Sequence, residues 1–266
     1  MITFVTCWYD FKAKFNNNIY YQWIDNMLTN VNNYKLVIYT NEDGFTILGK
    51  YLQPNIKIIL KDYETFYNYQ YSNLWISNHE KNALLRNKVD WKVNMLWSEK
   101  INFVKDAYEN KYFDNEYYGW CDIGYFRNRH NDSSKEELRN WPNNEKIIKL
   151  NKDKIHYGLI NNNVNYINKL FQLISNKNAN GLPIIPIPSN QLSVAAGFFI
   201  LHHGNINWWF NTYNMKLQKY FNNNYLVKDD QIIVIDCIFS DISKFNLFTE
   251  KQNKYDNWFM FQRILL

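Results

Sequence analysis

The sequence predicts an α/β fold, a Rossmann-like and mostly parallel central sheet flanked by helices. Three observations carry this. Short apolar, β-branched runs recur at 2–6, 35–40 and 56–60, each closed by polar residues. A helical stretch at 20–28 separates the first two, which is the opening of a doubly wound sheet with parallel neighbours. An apolar, aromatic run then ends on a lone carboxylate, Asp122, with Gly124 two residues further on. Ligands of open α/β sheets gather at such strand ends, and a glycine there permits a sharp turn and a close approach by a bulky group.

Taken in order, Ile2 to Thr6 reads as the first strand, and the residues after it as the first loop at its carboxyl end. Lys35-Leu36-Val37-Ile38-Tyr39-Thr40 is the second strand, closed by Asn41, Asp43 and Gly44, and 56–60 is the third. From 63 to 108 the chain has neither Gly nor Pro and is mostly helical, with Trp75, Trp91, Trp97 and Phe103 available for an apolar face. It leads into the Asp122 strand. The polar stretch 128–144 reads as surface loop plus a short helix at 135–139, capped by Asp132-Ser133-Ser134. Gly181, Pro183, Pro186 and Pro188 exclude a central strand from 176–190 and mark a long, mobile connection. Val194 to Leu201 is a buried strand, and a helix follows from about 205 to 221. Asp229-Asp230-Gln231 opens a further helix, and 245–249 is an edge strand.

The 266 residues, 46% of them hydrophobic, suffice for one large α/β domain, 1–266, which is simpler than two small ones. Tyr (21), Phe (18) and Trp (10) are abundant while Gly (8) and Pro (5) are few. AT-rich codon usage accounts for most of that, although polar-tipped rings also suit a sugar-binding groove. The net charge of +5 is spread along the chain without a dense Lys/Arg block, so nucleic acid is not an expected partner. Cys7, Cys121 and Cys237 are odd in number, lie in apolar strings and lack metal-ligand spacing. They read as buried thiols in a reducing compartment. No stretch has the length of a membrane span and the first residues lack a positive leader, so the expectation is a cytoplasmic protein without a membrane span.

The pieces Phe4-Val5-Thr6, Leu36-Val37-Ile38-Tyr39-Thr40, the helix carrying Lys100, Trp120-Cys121-Asp122-Ile123-Gly124-Tyr125, Ala196-Gly197-Phe198-Phe199 and Asp230-Gln231 occur in the order seen in HtrL/YibB-like proteins. The chain resembles that family in short pieces over nearly its whole length, and the Trp-x-Asp-x-Gly-Tyr pattern is the most specific of them. The resemblance implies a GT-A glycosyltransferase, with residues 1–127 as the nucleotide-sugar donor half and 128–266 as the acceptor half. It implies a sugar moved from a nucleotide sugar, a UDP-sugar by commonness in the fold, to a glycan hydroxyl. GT-A enzymes hold the donor with a strand-end Asp-x-Asp whose last carboxylate binds Mn²⁺ or Mg²⁺. Here that position is Gly124, so Asp122 either binds metal with help from elsewhere or contacts only the ribose; the bland alternative is a turn-capping Asp.

Donor contacts are expected at the strand ends near Thr6 and Tyr39, at Asp122 and Gly124, at Gly197, and at Lys100 and Gln231, which the family pattern suggests. Arg127 can grip phosphate oxygens as a fork. Lys100 and Arg127 are otherwise ordinary surface cations. His202 and His203 follow the 194–201 strand, where one imidazole, His203 first, would complete a metal shell or hold a phosphate. A structural histidine is the alternative. Asp230 and Asp229 are the acid/base candidates of the C-terminal half, with Asp230 favoured because Gln231 completes an Asp-Gln pair, which the resemblance to retaining GT-A families would instead have bind the donor sugar; helix capping is their ordinary use. Trp208 and Trp209 either stack on sugar or anchor their helix in the core. Two other classes compete with the transferase: a non-catalytic carbohydrate-binding protein that kept the fold, and a nucleotide-binding structural protein.

Overall fold

The structure, a computed structural model of the chain, describes residues 1–130, 132–251 and 254–266. Its elements run β1 (Ile2–Trp8), α1 (Asn17–Leu28), β2 (Lys35–Thr40), α2 (Glu42–Leu48), β3 (Ile56–Leu60), α3 (Ser72–Lys81), α4 (Trp91–Ser98), α5 (Lys100–Glu109) and β4 (Tyr117–Cys121). There follow α6 (Lys135–Leu138), α7 (Asn144–Ile148), β5 (Ile155–Leu159), α8 (Val164–Ser175), β6 (Val194–His202), α9 (Ile206–Asn222), α10 (Asp230–Ser240), β7 (Phe245–Phe248) and α11 (Phe261–Ile264). Seven strands form one sheet in the order β3-β2-β1-β4-β6-β5-β7. All run parallel except β6, which lies antiparallel between β4 and β5. The predicted α/β class, a mostly parallel sheet between helices, is the one observed.

Alternation along β1 divides the interior into two layers. Val5 and Cys7 face a core built with α5, α8, α9 and α10, in which Phe103, Trp120, Trp209 and Ile235 are buried. Ile2, Phe4 and Trp8 face a second core with α1 and α2, including Ile24, Met27, Leu48 and Trp141. Both faces of β1 are covered, which explains its unbroken apolar reading.

Several boundaries differ from expectation for identifiable reasons. β1 continues two residues past Thr6, because Cys7 and Trp8 still pair with Tyr39 and Thr40. Asn41, Asp43 and Gly44 do not form a turn. The Asn41 side chain accepts from the Gly44 amide and caps α2. Of the predicted cap Asp132-Ser133-Ser134, Ser134 is the N-cap of α6, in a reciprocal capping box with Glu137. Position 131 of that loop lies outside the described residues. Residues 176–190 hold no strand, only a bridge between Lys177 and Pro183. β5 and α8 have no counterpart in the sequence reading.

Candidate functional site

The strand order reverses beside β1, whose chain neighbour β2 lies on one side while β4 lies on the other. A crevice opens at such a switch point because the two connections leave in opposite directions. Here it is a cleft of about 550 Å³, lined by Cys7, Trp8 and Tyr9 at the end of β1 and by Asp122, Ile123 and Gly124 after β4. That volume is within the ~300–1,000 Å³ usual for ligand pockets.

Asp122 is held from three directions. Its amide donates to the Gly197 carbonyl at 2.9 Å, continuing the β4–β6 ladder by one residue. Its Oδ1 accepts from Trp120 Nε1 at 2.5 Å and lies 3.2 Å from Lys100 Nζ. The side chain nevertheless keeps 39% of its surface exposed to the cleft. Gly197 makes room for it: a Cβ there would stand 2.7 Å from Asp122 Oδ2. Asp122 is therefore no turn cap but a carboxylate fixed with one edge open.

Lys100 begins α5 and is almost wholly buried, with its Nζ 3.2 Å from Asp122, 2.8 Å from Asp230 Oδ2 and 3.0 Å from the Ala196 carbonyl. Burial works against its charge, yet the two carboxylates outweigh burial and hold the ammonium above the ordinary lysine value. Next to it, the buried Glu99 accepts from the Tyr67 and Asn68 amides at 2.7 and 3.1 Å and from the Asn68 and Asn102 side chains. Burial raises its carboxyl to about 7 although these donors oppose the rise. This junction fixes where α5 starts and hence where Lys100 points.

Asp229 and Asp230 reach the same place from the C-terminal half. Asparagine side chains substitute for a β-ladder along the segment before α10. Asn78 both donates to the Val227 carbonyl at 2.8 Å and accepts from the Val227 amide at 2.9 Å. Asn94 also donates to Val227, and Asn82 to the Lys228 carbonyl. α10 thus begins at a defined point. Asp229 occupies its N-cap position, but its side chain makes no capping bond and instead pairs with Lys228 at 2.6 Å. Asp230 faces Lys100. Burial raises the Asp230 carboxyl, Lys100 draws it part of the way back, and neighbouring Asp229 adds to the rise. Asp229 Oδ1 and Gln231 Oε1, on the cleft lining, are buried acceptors without a protein partner among the described residues. Such atoms call for donors, and ligand hydroxyls are suitable ones.

Arg127 flanks the Gly124 turn. Its Nε donates to the Gly124 carbonyl at 2.9 Å, and its guanidinium lies 4.2 Å from the Trp23 ring centroid and 4.9 Å from that of Phe259. Half-buried and stacked, it is not an ordinary surface charge.

Lys100, Asp122, Gly124, Arg127, Gly197, Asp229, Asp230 and Gln231 all line one cleft. Thr6 and Tyr39 do not. Because β1 runs on to Trp8, Thr6 is internal and fully buried, and Tyr39 turns toward α5, where its hydroxyl donates to Asp106 at 2.5 Å and its ring stacks on Phe103. His203 is also misplaced. β6 is antiparallel, so its carboxyl end emerges at the opposite edge, His202 facing Tyr117 while Gly197 faces Asp122. There His203 stacks on Tyr108. Trp209 is a core anchor against Tyr157, Tyr213 and Phe245, and Trp208 packs on Phe245.

The residues present do not fit a divalent metal held by the protein. Among the described residues no group of three His, Cys, Asp or Glu side chains is arranged to hold one. At Gly124 a Cβ would stand 2.7 Å from Trp23 Cε3, so a carboxylate in that backbone position would have no space.

The sequence reading missed Cys7 and Trp8 at the end of β1, Tyr9, Phe11, Lys14, Phe15 and Tyr20 beyond it, and also Trp97, Arg129, Asp256 and Phe259, all of which line the cleft. The alternation of rings and lysines in Trp8-Tyr9-Asp10-Phe11-Lys12-Ala13-Lys14-Phe15 was the available signal.

No protein-family model matches the chain, and no curated protein does. Among solved structures it is similar to apo xyloside xylosyltransferase 1 from mouse, with 11% identity, 92% of this chain and 84% of that chain covered, and a TM-score of 0.49. It is also similar to the galactosyltransferase LgtC in complex with donor and acceptor sugar analogues, with 11% identity, 88% and 69% covered, and a TM-score of 0.44.

Proposed function

We propose that this chain is a GT-A-type glycosyltransferase of the HtrL/YibB-like kind, which moves a sugar from a nucleotide sugar, a UDP-sugar first, to a hydroxyl of a glycan. One observation carries the reading: Lys100, Asp122, Gly197, Asp230 and Gln231, scattered over about half the sequence and all among the pieces that resemble that family, meet in a single cleft at the switch point of the sheet. Residues 1–127 act as the donor half and 128–266 as the acceptor half. No helix of the described residues is long and apolar enough to cross a membrane, and the three cysteines are buried and free, in keeping with a cytoplasmic enzyme.

In this reading Asp122 accepts hydrogen bonds from the donor through its open edge. Lys100 lies between Asp122 and Asp230 and offsets the repulsion of the two carboxylates. Asp230 takes the acceptor's hydroxyl proton, a task suited to a carboxylate made more basic by burial. The acceptor oxygen forms the new bond to the anomeric carbon, and the nucleoside diphosphate leaves with the electron pair of the broken C–O bond. Asp229, paired with Lys228, supports the helix start.

The test is transfer or hydrolysis measured against a panel of UDP-, GDP-, dTDP- and CMP-sugars. Turnover of one donor is expected, with Asp122→Asn reducing it ~10²-fold or more while the melting temperature stays near that of the unaltered protein. A folded Asp122→Asn protein with full activity would sink the assignment. Glycan binding without any nucleotide binding would select the carbohydrate-binding alternative.

A further inference from the structure

Charge pairing in the cleft leaves a specific remainder. Lys100 lies between Asp122 and Asp230, Asp229 pairs with Lys228, and Arg129 pairs with Asp256. Among the described residues of the lining, Arg127 and Lys14 have no carboxylate within ion-pair distance. Lys14 rests over the Trp97 ring at 4.8 Å and is otherwise exposed. Arg127 is built in more firmly. Its Nε is spent on the Gly124 carbonyl, and Trp23, Phe259 and Phe15 surround the guanidinium at 4.2, 4.9 and 5.6 Å. The Nη groups have no protein acceptor among the described residues. Desolvation lowers the Arg127 pKa from its ordinary value, with Arg129 adding to the effect, as befits a cation whose anion comes from outside.

The place where Arg127 stands matters as much as its freedom. It is fastened to the carbonyl of Gly124, the position at which the expected Asp-x-Asp would present its metal-binding carboxylate. Trp23 fills the space that such a side chain would need and also supports the guanidinium. Asp122, the remaining carboxylate, already has Oδ1 occupied by Lys100 and Trp120. Two cations without a carboxylate of their own, Arg127 and Lys14, are left to meet a diphosphate, and a planar guanidinium with its Nη groups free fits phosphate oxygens in pairs.

We propose that the diphosphate of the donor is held by the Arg127 guanidinium, with Lys14 beside it, and that no divalent cation is needed for its binding. The proposal rests on the nucleotide-sugar reading of the cleft. It goes beyond that reading in replacing the expected Mn²⁺ or Mg²⁺ by a side chain of the protein.

Calorimetric titration of the full chain with uridine, guanosine and thymidine diphosphates, in EDTA and again with Mn²⁺ or Mg²⁺, tests it. One diphosphate is expected to bind with dissociation constants that agree within about twofold with and without metal, a difference well under 1 kcal/mol. Arg127→Met, which keeps most of the apolar stem, should weaken that diphosphate about tenfold to hundredfold, the loss of charge-assisted hydrogen bonds, and leave the affinity for the matching nucleoside unchanged. Arg127→Lys provides the same comparison with the charge retained and the fork removed. Binding that appears only with metal, or an Arg127→Met protein that binds the diphosphate as well as the unaltered chain, overturns the proposal and leaves the nucleotide-sugar reading standing. Absence of nucleotide binding in every condition overturns both. The comparison with and without metal uses the unaltered protein and does not depend on how well either variant folds.

Discussion

Lys100 connects the two carboxylates that matter most, and its removal exposes how the site is balanced. Asp122 and Asp230 belong to segments over a hundred residues apart and meet only through this ammonium. Lys100→Met would leave Asp230 buried against Asp229 and near Asp122 with nothing to offset the repulsion. The expected cost is about 3–5 kcal/mol, the usual result of orphaning a buried charge. Adding Asp230→Asn to Lys100→Met should recover part of that loss, since the uncompensated charge is then gone. Urea denaturation of the single and double variants checks this, and equal stability of the two would show that the pair is not energetically coupled. At this scale the sequence was legible where chemistry is local to a motif, as at Asp122 and Asp230. It was not legible at Thr6, because β1 continues by two residues past it, nor at Tyr39, whose alternation along β2 turns it to Asp106 and Phe103 of α5.

The elements show the same division. β2 and β3 carry dense β-branched runs and match their predicted bounds. β5 was not seen because His156 and Gly158 interrupt its pattern, and only the sheet on either side makes it a strand. The direction of β6 decided the fate of His203, and direction is a property of pairing that no run of residues encodes. α10 was recognised from its acidic start, although what anchors its far half was hidden. Asp236 on α10 is fully buried and gathers four partners: Lys177, Lys216 at 2.9 Å, the Tyr220 hydroxyl at 2.8 Å and Ser240 at 3.0 Å. Lys177 ties the start of the 176–190 segment to the helix layer through this one carboxylate. Asp236→Asn is expected to cost about 3 kcal/mol, because two lysines lose their counter-ion in a partly buried place. It should also quicken proteolysis within 176–190 while nucleotide affinity is unchanged, since Asp236 does not line the cleft. Unaltered cleavage of that segment would show that Asp236 does not hold it.

For the molecule as a whole, two of the buried groups that shape the acid response, His156 and Glu99, pull in opposite directions. His156 on β5 is fully buried, its Nε2 against the Asn151 carbonyl at 3.0 Å and its Nδ1 against the Asn246 amide nitrogen at 3.3 Å. A carbonyl on one side and an amide donor on the other select the neutral ring with the proton on Nε2. Burial lowers its pKa from 6.5 to about 4. The unfolded chain therefore binds more protons than the folded one between about 4 and 6.5, and His156 withdraws stability as pH falls through that window. Glu99 acts in the reverse sense. Its carboxyl is raised from 4.5 to about 7, so the folded chain binds more protons over that interval and stability falls as pH rises through it. Where the windows overlap, the two contributions oppose each other and flatten the stability curve. His156→Gln removes one of them. Relative to the unaltered protein, this variant should gain up to about 3 kcal/mol on going from neutral pH to pH near 4, the linkage expected for a shift of this size. Urea melts of both proteins across that range measure the difference directly. Parallel curves, with the variant merely displaced, would mean that His156 binds its proton equally well folded and unfolded, and that the acid response arises elsewhere.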